Sequence, residues 1–103
     1  MNDLELSIKL AKLIYPECVV YTQNSKARVQ VADGDDFYFD FNNWNDLMPL
    51  VIEHKISLIA GVNFTGWIAD DFDGKGKYQV ENENPQRALA ECLLKVLEAK
   101  GSK

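Results

Sequence analysis

The chain has 103 residues, 47 % hydrophobic and 26 % charged, a balance that excludes a disordered chain and fits one folded domain over residues 1–103. Its formal net charge of −5 repels a phosphate backbone at long range, which counts against direct nucleic-acid binding and leaves an acidic surface for a basic partner. No apolar run approaches the roughly 18 residues of a membrane span, and the first five residues lack the basic and apolar regions of a signal peptide, so a cytoplasmic protein is expected. Cys18 and Cys92 form no C-x-x-C pair and are expected to be reduced, buried thiols.

Asn2 with Glu5 three residues later is a capping-box pattern. Leu4, Ile8, Ala11 and Tyr15 follow at helical spacing with Leu10 and Ile14, and Pro16 stops the helix, which is expected over residues 3–15. The β-branched and aromatic run over residues 18–22 reads as a strand, and residues 23–26 as a turn. Ala27, Val29 and Val31 alternate with Arg28 and Gln30, a half-buried strand. Asp33-Gly34-Asp35-Asp36 is turn chemistry, after which Phe37, Phe39 and Phe41 alternate with Tyr38 and Asp40, completing a three-stranded antiparallel meander.

Asn42 or Asn43 caps a second helix whose apolar stripe is Trp44, Leu47, Val51 and Ile52; Pro49 sits in the first turn of a helix that starts late or kinks it. Ile56–Ala60 is a short apolar strand, residues 61–66 a turn, and residues 67–69 open another strand. Residues 70–76 read as an acidic, glycine-bearing loop and residues 77–81 as a returning strand. Asn84-Pro85 places an N-cap before a proline at the first helical position, and Ala88, Leu89, Cys92, Leu93, Val96 and Leu97 make one apolar face, ended by Gly101. The order helix, three strands, helix, three strands, helix predicts an α+β domain with a predominantly antiparallel sheet packed by three helices.

Chemistry-bearing motifs are sparse. Counting an EF-hand loop from Asp71 puts Asp73 at position three and Gly76 at six, but Lys75 stands at five and Asn82 at twelve, so no calcium site is expected. His54 is the one histidine and suits a helix end, where a cation favours the macrodipole. One histidine cannot build a multi-histidine metal site, and Gly74-Lys75-Gly76 lacks both P-loop spacing and a following helix. No cofactor, metal or catalytic residue is expected. The acidic groups Asp33, Asp35, Asp36 and Asp70, Asp71, Asp73 lie at strand connections and read as exposed tips. Tyr38, Trp44 and Trp67 read as partly exposed aromatics. These nine residues are the candidate partner-binding set.

Several stretches resemble the phage ABA-sandwich domain family, small proteins of tailed phages and prophages. They are Phe41 to His54 with its Trp44 and Pro49-Leu50-Val51, the strand Ile56-Ser57-Leu58, Trp67-Ile68-Ala69, and the helix start Asn84-Pro85-Gln86-Arg87-Ala88. The resemblance covers roughly the C-terminal two thirds. It implies a helix–sheet–helix sandwich and a phage or prophage origin in a bacterial cytoplasm, and it carries over no catalytic or binding residue. The expected function is a non-enzymatic accessory protein acting through protein–protein contact. One alternative is an acidic inhibitor of a host defence or nucleic-acid-binding protein that imitates phosphates, which needs a continuous acidic face. A small enzyme is the third reading, to be revived by a cleft holding His54 beside a carboxylate.

Overall fold

The computed structural model describes residues 2–32, 34–60, 66–71 and 78–101. The element order is the expected one, and the domain is α+β. Helix α1 (Asp3–Ile14) is capped by Asn2, whose side-chain oxygen accepts the Glu5 N–H at 2.8 Å. Tyr15 closes it by donating its N–H to the Ala11 carbonyl. Of the expected apolar row, Leu10 and Ala11 are buried while Leu4, Ile8, Ile14 and Tyr15 are half-buried, and Leu6 and Ser7 complete the buried stripe.

Strands β1 (Val19–Gln23), β2 (Lys26–Gln30) and β3 (Phe37–Phe39) form an antiparallel meander in the order β1-β2-β3. Asn24 and Ser25 both have positive φ, 54° and 61°, the backbone of a two-residue hairpin turn matched to strand twist. Ala27, Val29 and Phe39 turn inward and are buried, and Tyr15 at the end of α1 meets Phe37 edge to face at 5.2 Å. Tyr21 stands opposite Arg28 and Arg28 opposite Tyr38 on the other face.

Helix α2 (Trp44–Glu53) takes Asn43 as its cap. Pro49 lies in the second turn of this helix, so of its two expected placements the first turn of a late-starting helix does not hold, and it sits inside the helix. Strands β4 (Ile56–Ala60), β5 (Trp67–Asp71) and β6 (Val80–Asn82) make a second, separately hydrogen-bonded antiparallel sheet in the order β4-β5-β6. Asp70 and Asp71, expected in a loop, are the last two residues of β5, paired with Ser57 and Ile56. The register explains this: Ile68 and Ala69 pair with Ile59 and Leu58, and β4 still has two residues left to pair. The returning strand begins at Val80, later than expected. Residues 61–65 of the expected 61–66 turn, and Lys77 at the start of the expected last strand, lie outside the described residues.

Helix α3 (Pro85–Gly101) starts on Asn84, which accepts the N–H groups of Gln86 and Arg87 at 2.9 and 3.2 Å. Ala88, Leu89, Ala90, Cys92, Leu93, Leu94 and Val96 are all buried, more than one face of a helix. The cause is tertiary: α3 packs on all three strands of the second sheet and also on α1 and α2, while α1 packs on all three strands of the first sheet. Each sheet thus rests on a helix, the two helices rest on each other, and one continuous core joins Phe39 and Val29 to Leu93 and Ala69.

Candidate functional site

The acidic candidates divide by what their carboxylates already do. Asp33 and Asp73 lie outside the described residues. Asp35 is exposed. Asp36 is half-buried; one oxygen accepts the Val31 N–H at 3.2 Å and the other lies 3.5 Å from the Arg28 guanidinium. Asp71 is only 4 % exposed and accepts the Tyr78 N–H at 3.1 Å, tying β5 to the chain that returns toward β6. Asp70 is half-buried, and one of its oxygens is buried without a hydrogen-bond partner among the described residues. Asp36 and Asp71 are therefore bound into the fold, and the expected exposed tip at residues 70–71 is part of a strand. The charge of Asp71 and, less, of Asp70 also reaches Cys92. Burial, with these two carboxylates adding to it against a smaller opposing pull from Lys95, pushes the Cys92 thiol up to about 12. Its sulfur donates to the Tyr78 carbonyl.

Tyr38 is the centre of a cross-strand cluster on the outer face of the first sheet. The Arg28 guanidinium lies 4.9 Å and the Lys26 ammonium 5.8 Å from its ring centre. Its hydroxyl donates to Gln23 at 3.3 Å and accepts from Asn24 at 3.1 Å. These contacts staple three strands together, so this aromatic is committed to the sheet.

Helix α2 is different. Leu47 and Val51 are buried, as expected; Trp44, read both as part of the apolar stripe and as a partly exposed aromatic, is 45 % exposed, and Ile52, expected in the stripe, is 70 % exposed. Met48 is 36 % exposed between them. Residues 44, 48 and 52 are four apart, so they stand one above another and form a ridge about 100° around the helix from the buried row. A helix whose apolar residues cover this much of its circumference cannot bury all of them against one neighbour. Elsewhere, Ile59 on β4 is 50 % exposed, and Trp67 on β5 is also exposed, as expected for it. The spacing of Trp44, Met48 and Ile52 was readable; which side of the helix meets α3 was not.

A cavity of about 220 Å³ is lined by Asp3, Ser7, Lys26 and Asp40 among others. It is smaller than the roughly 300–1,000 Å³ of ordinary ligand pockets, and Asp3 already binds Arg87 and Asn42 while Ser7 accepts the Phe41 N–H. His54 caps the C-terminal end of α2, with its Nε2 3.6 Å from the Glu53 carboxylate. Among the described residues, no group of three or more His, Cys, Asp or Glu side chains is placed to hold a metal ion, and no helix is long and apolar enough to cross a membrane. Compared with protein-family models, with curated proteins and with solved structures, the chain matches none.

Proposed function

We propose that this chain is a non-enzymatic accessory protein that works through protein–protein contact, with α2 as the contact element. The observation that carries the reading is the exposed ridge of Trp44, Met48 and Ile52 on a helix whose adjacent side, through Leu47 and Val51, is anchored in the core. Aromatic and methionine side chains are enriched at protein interfaces, and a rigidly seated helix loses little entropy on docking. Phage or prophage origin enters this reading from the resemblance to the phage ABA-sandwich domain. The phosphate-imitating alternative draws less support, because Asp36 and Asp71 spend their carboxylates on Arg28, Val31 and Tyr78.

The test is affinity capture from a bacterial lysate, read by mass spectrometry, with the chain and two variants. Trp44→Ser with Ile52→Ser should leave the far-UV spectrum unchanged and abolish capture of the specific partner. Asp35→Asn with Asp70→Asn should leave capture intact. A partner held by the first variant, lost by the second and released by moderate salt would reverse the assignment in favour of the acidic groups.

A further inference from the structure

We propose that α2 opens as a unit: residues 43–55 unfold locally while both sheets, α1 and α3 keep their structure. Opening is a property of the chain alone and needs no partner, which takes it beyond the contact reading. Little holds this helix. Of its ten residues only Leu47 and Val51 are buried. Helix α1 buries four and packs on three strands as well as on α3, whereas α2 packs chiefly on α3 and β4. Trp44, Met48 and Ile52 are already exposed in the closed state, so opening uncovers little of them.

The helix is also weak in itself. Ten residues is fewer than the roughly 12–15 that an isolated helix needs to be even marginally stable, so a detached α2 unfolds. Pro49 withholds a donor from the Asn45 carbonyl and disfavours the helical path. Glu53 puts a negative charge in the last turn, where the macrodipole favours a cation, and that turn holds no basic residue. His54, 3.6 Å from the Glu53 carboxylate, counters it only when protonated.

Fixed points bound the segment on both sides. Phe41 is fully buried with its N–H held by Ser7, and Asn42 is tied to Asp3 and Gln86. Ile56 is buried and paired with Asp71 in the second sheet. Just before it, Lys55 is held at φ 54°, a left-handed conformation disfavoured for a residue with a side chain, and opening releases it. Opening also dissolves the ridge, because residues 44, 48 and 52 line up only while the helix is formed. It is therefore the off state of the contact surface. A partner that grips the ridge binds only the closed state and so suppresses opening.

The experiment is native-state hydrogen exchange of the full chain in rising, sub-denaturing urea. The amides of Leu47 and His54 bond to the Asn43 and Leu50 carbonyls at opposite ends of α2. They should exchange through one common opening with a small urea dependence. The amides of Leu89 and Leu93 in α3 should exchange roughly a hundredfold more slowly, with the steep urea dependence of global unfolding. Pro49→Ala should slow exchange at Leu47 and His54 by roughly fivefold or more. Val29→Ala, in the core of the first sheet, should speed Leu93 exchange by roughly tenfold and leave both α2 amides unchanged. Leu47 and His54 exchanging at the rate and urea slope of Leu93 would overturn the proposal, because α2 would then open only with the whole molecule. Unequal slopes for Leu47 and His54 would overturn it too, since that is fraying from one end. Either result leaves the contact reading to be decided by capture with the Trp44 and Ile52 variant.

Discussion

Asp71 and Asp35 look alike in the sequence, each an aspartate in an acidic, glycine-bearing segment, and the fold separates them. Asp71 is buried and accepts the Tyr78 N–H, so Asp71→Ala leaves a donor unpaired and should cost about 1–3 kcal/mol. Asp35 is exposed, and Asp35→Asn should stay within about 0.5 kcal/mol. Urea unfolding of the two variants decides the matter; equal midpoints would mean that the Asp71 bond contributes nothing. Cys92 shows the same dependence on place. Burial first, then Asp71 and Asp70, raise its thiol to about 12, above the ordinary thiol range. A group raised on folding contributes stability that is complete below its unfolded value and lost as pH rises through the folded one. Stability should therefore fall between about pH 9 and 12, by at most about 1.4 kcal/mol per pH unit for this group. Tyr15, raised mainly by burial and further by Asp46 and Cys18, acts in the same direction. Urea midpoints across this pH range test the prediction, and a flat profile would contradict it.

Among the elements, α2 is the least settled by its own residues. Pro49 cannot donate to the Asn45 carbonyl, and an interior proline is about 3 kcal/mol less favourable than alanine in a helix. Part of that is offset because proline restricts the unfolded chain, by about 0.4–1 kcal/mol. Pro49 is exposed, so Pro49→Ala removes no core contact and should raise stability by about 1 kcal/mol or more, seen as a higher melting temperature. A lower one would mean that α2 depends on the proline for its path. The starts of all three helices could be read in the sequence, that of α2 to within Asn42 or Asn43, because Asn2, Asn43 and Asn84 cap through local bonds within three residues. The buried side of α1 and α2 could not, because too many of their positions are apolar for periodicity alone to choose one face.

At the scale of the whole molecule, α3 is the link between the halves, touching the second sheet, α1 and α2 while α1 carries the first sheet. A contact made at α2 is therefore backed by the same core that holds Leu89 and Leu93. This backing makes the Trp44 and Ile52 substitutions interpretable: both side chains project from a seated helix, so their loss changes the surface while Leu47 and Val51 keep α2 in place. It also sets the expected response to salt. A contact of uncharged side chains should change little with salt, whereas an acidic docking site for a basic partner would weaken as salt rises.

The sequence by itself determined the class and order of the elements, because caps, turn residues and alternation act over a few neighbouring residues. Asn24-Ser25, Asn84-Pro85 and the Phe37–Phe39 alternation each declare their local structure without reference to the rest of the chain. Tertiary structure alone decided the rest. It divided six strands into two sheets, set the buried stripe of α1, drew Asp70 and Asp71 into β5 and turned Ile52 outward. Those outcomes depend on which elements meet, and burial is a property of a pair of surfaces, so no single segment carries the information that fixes it.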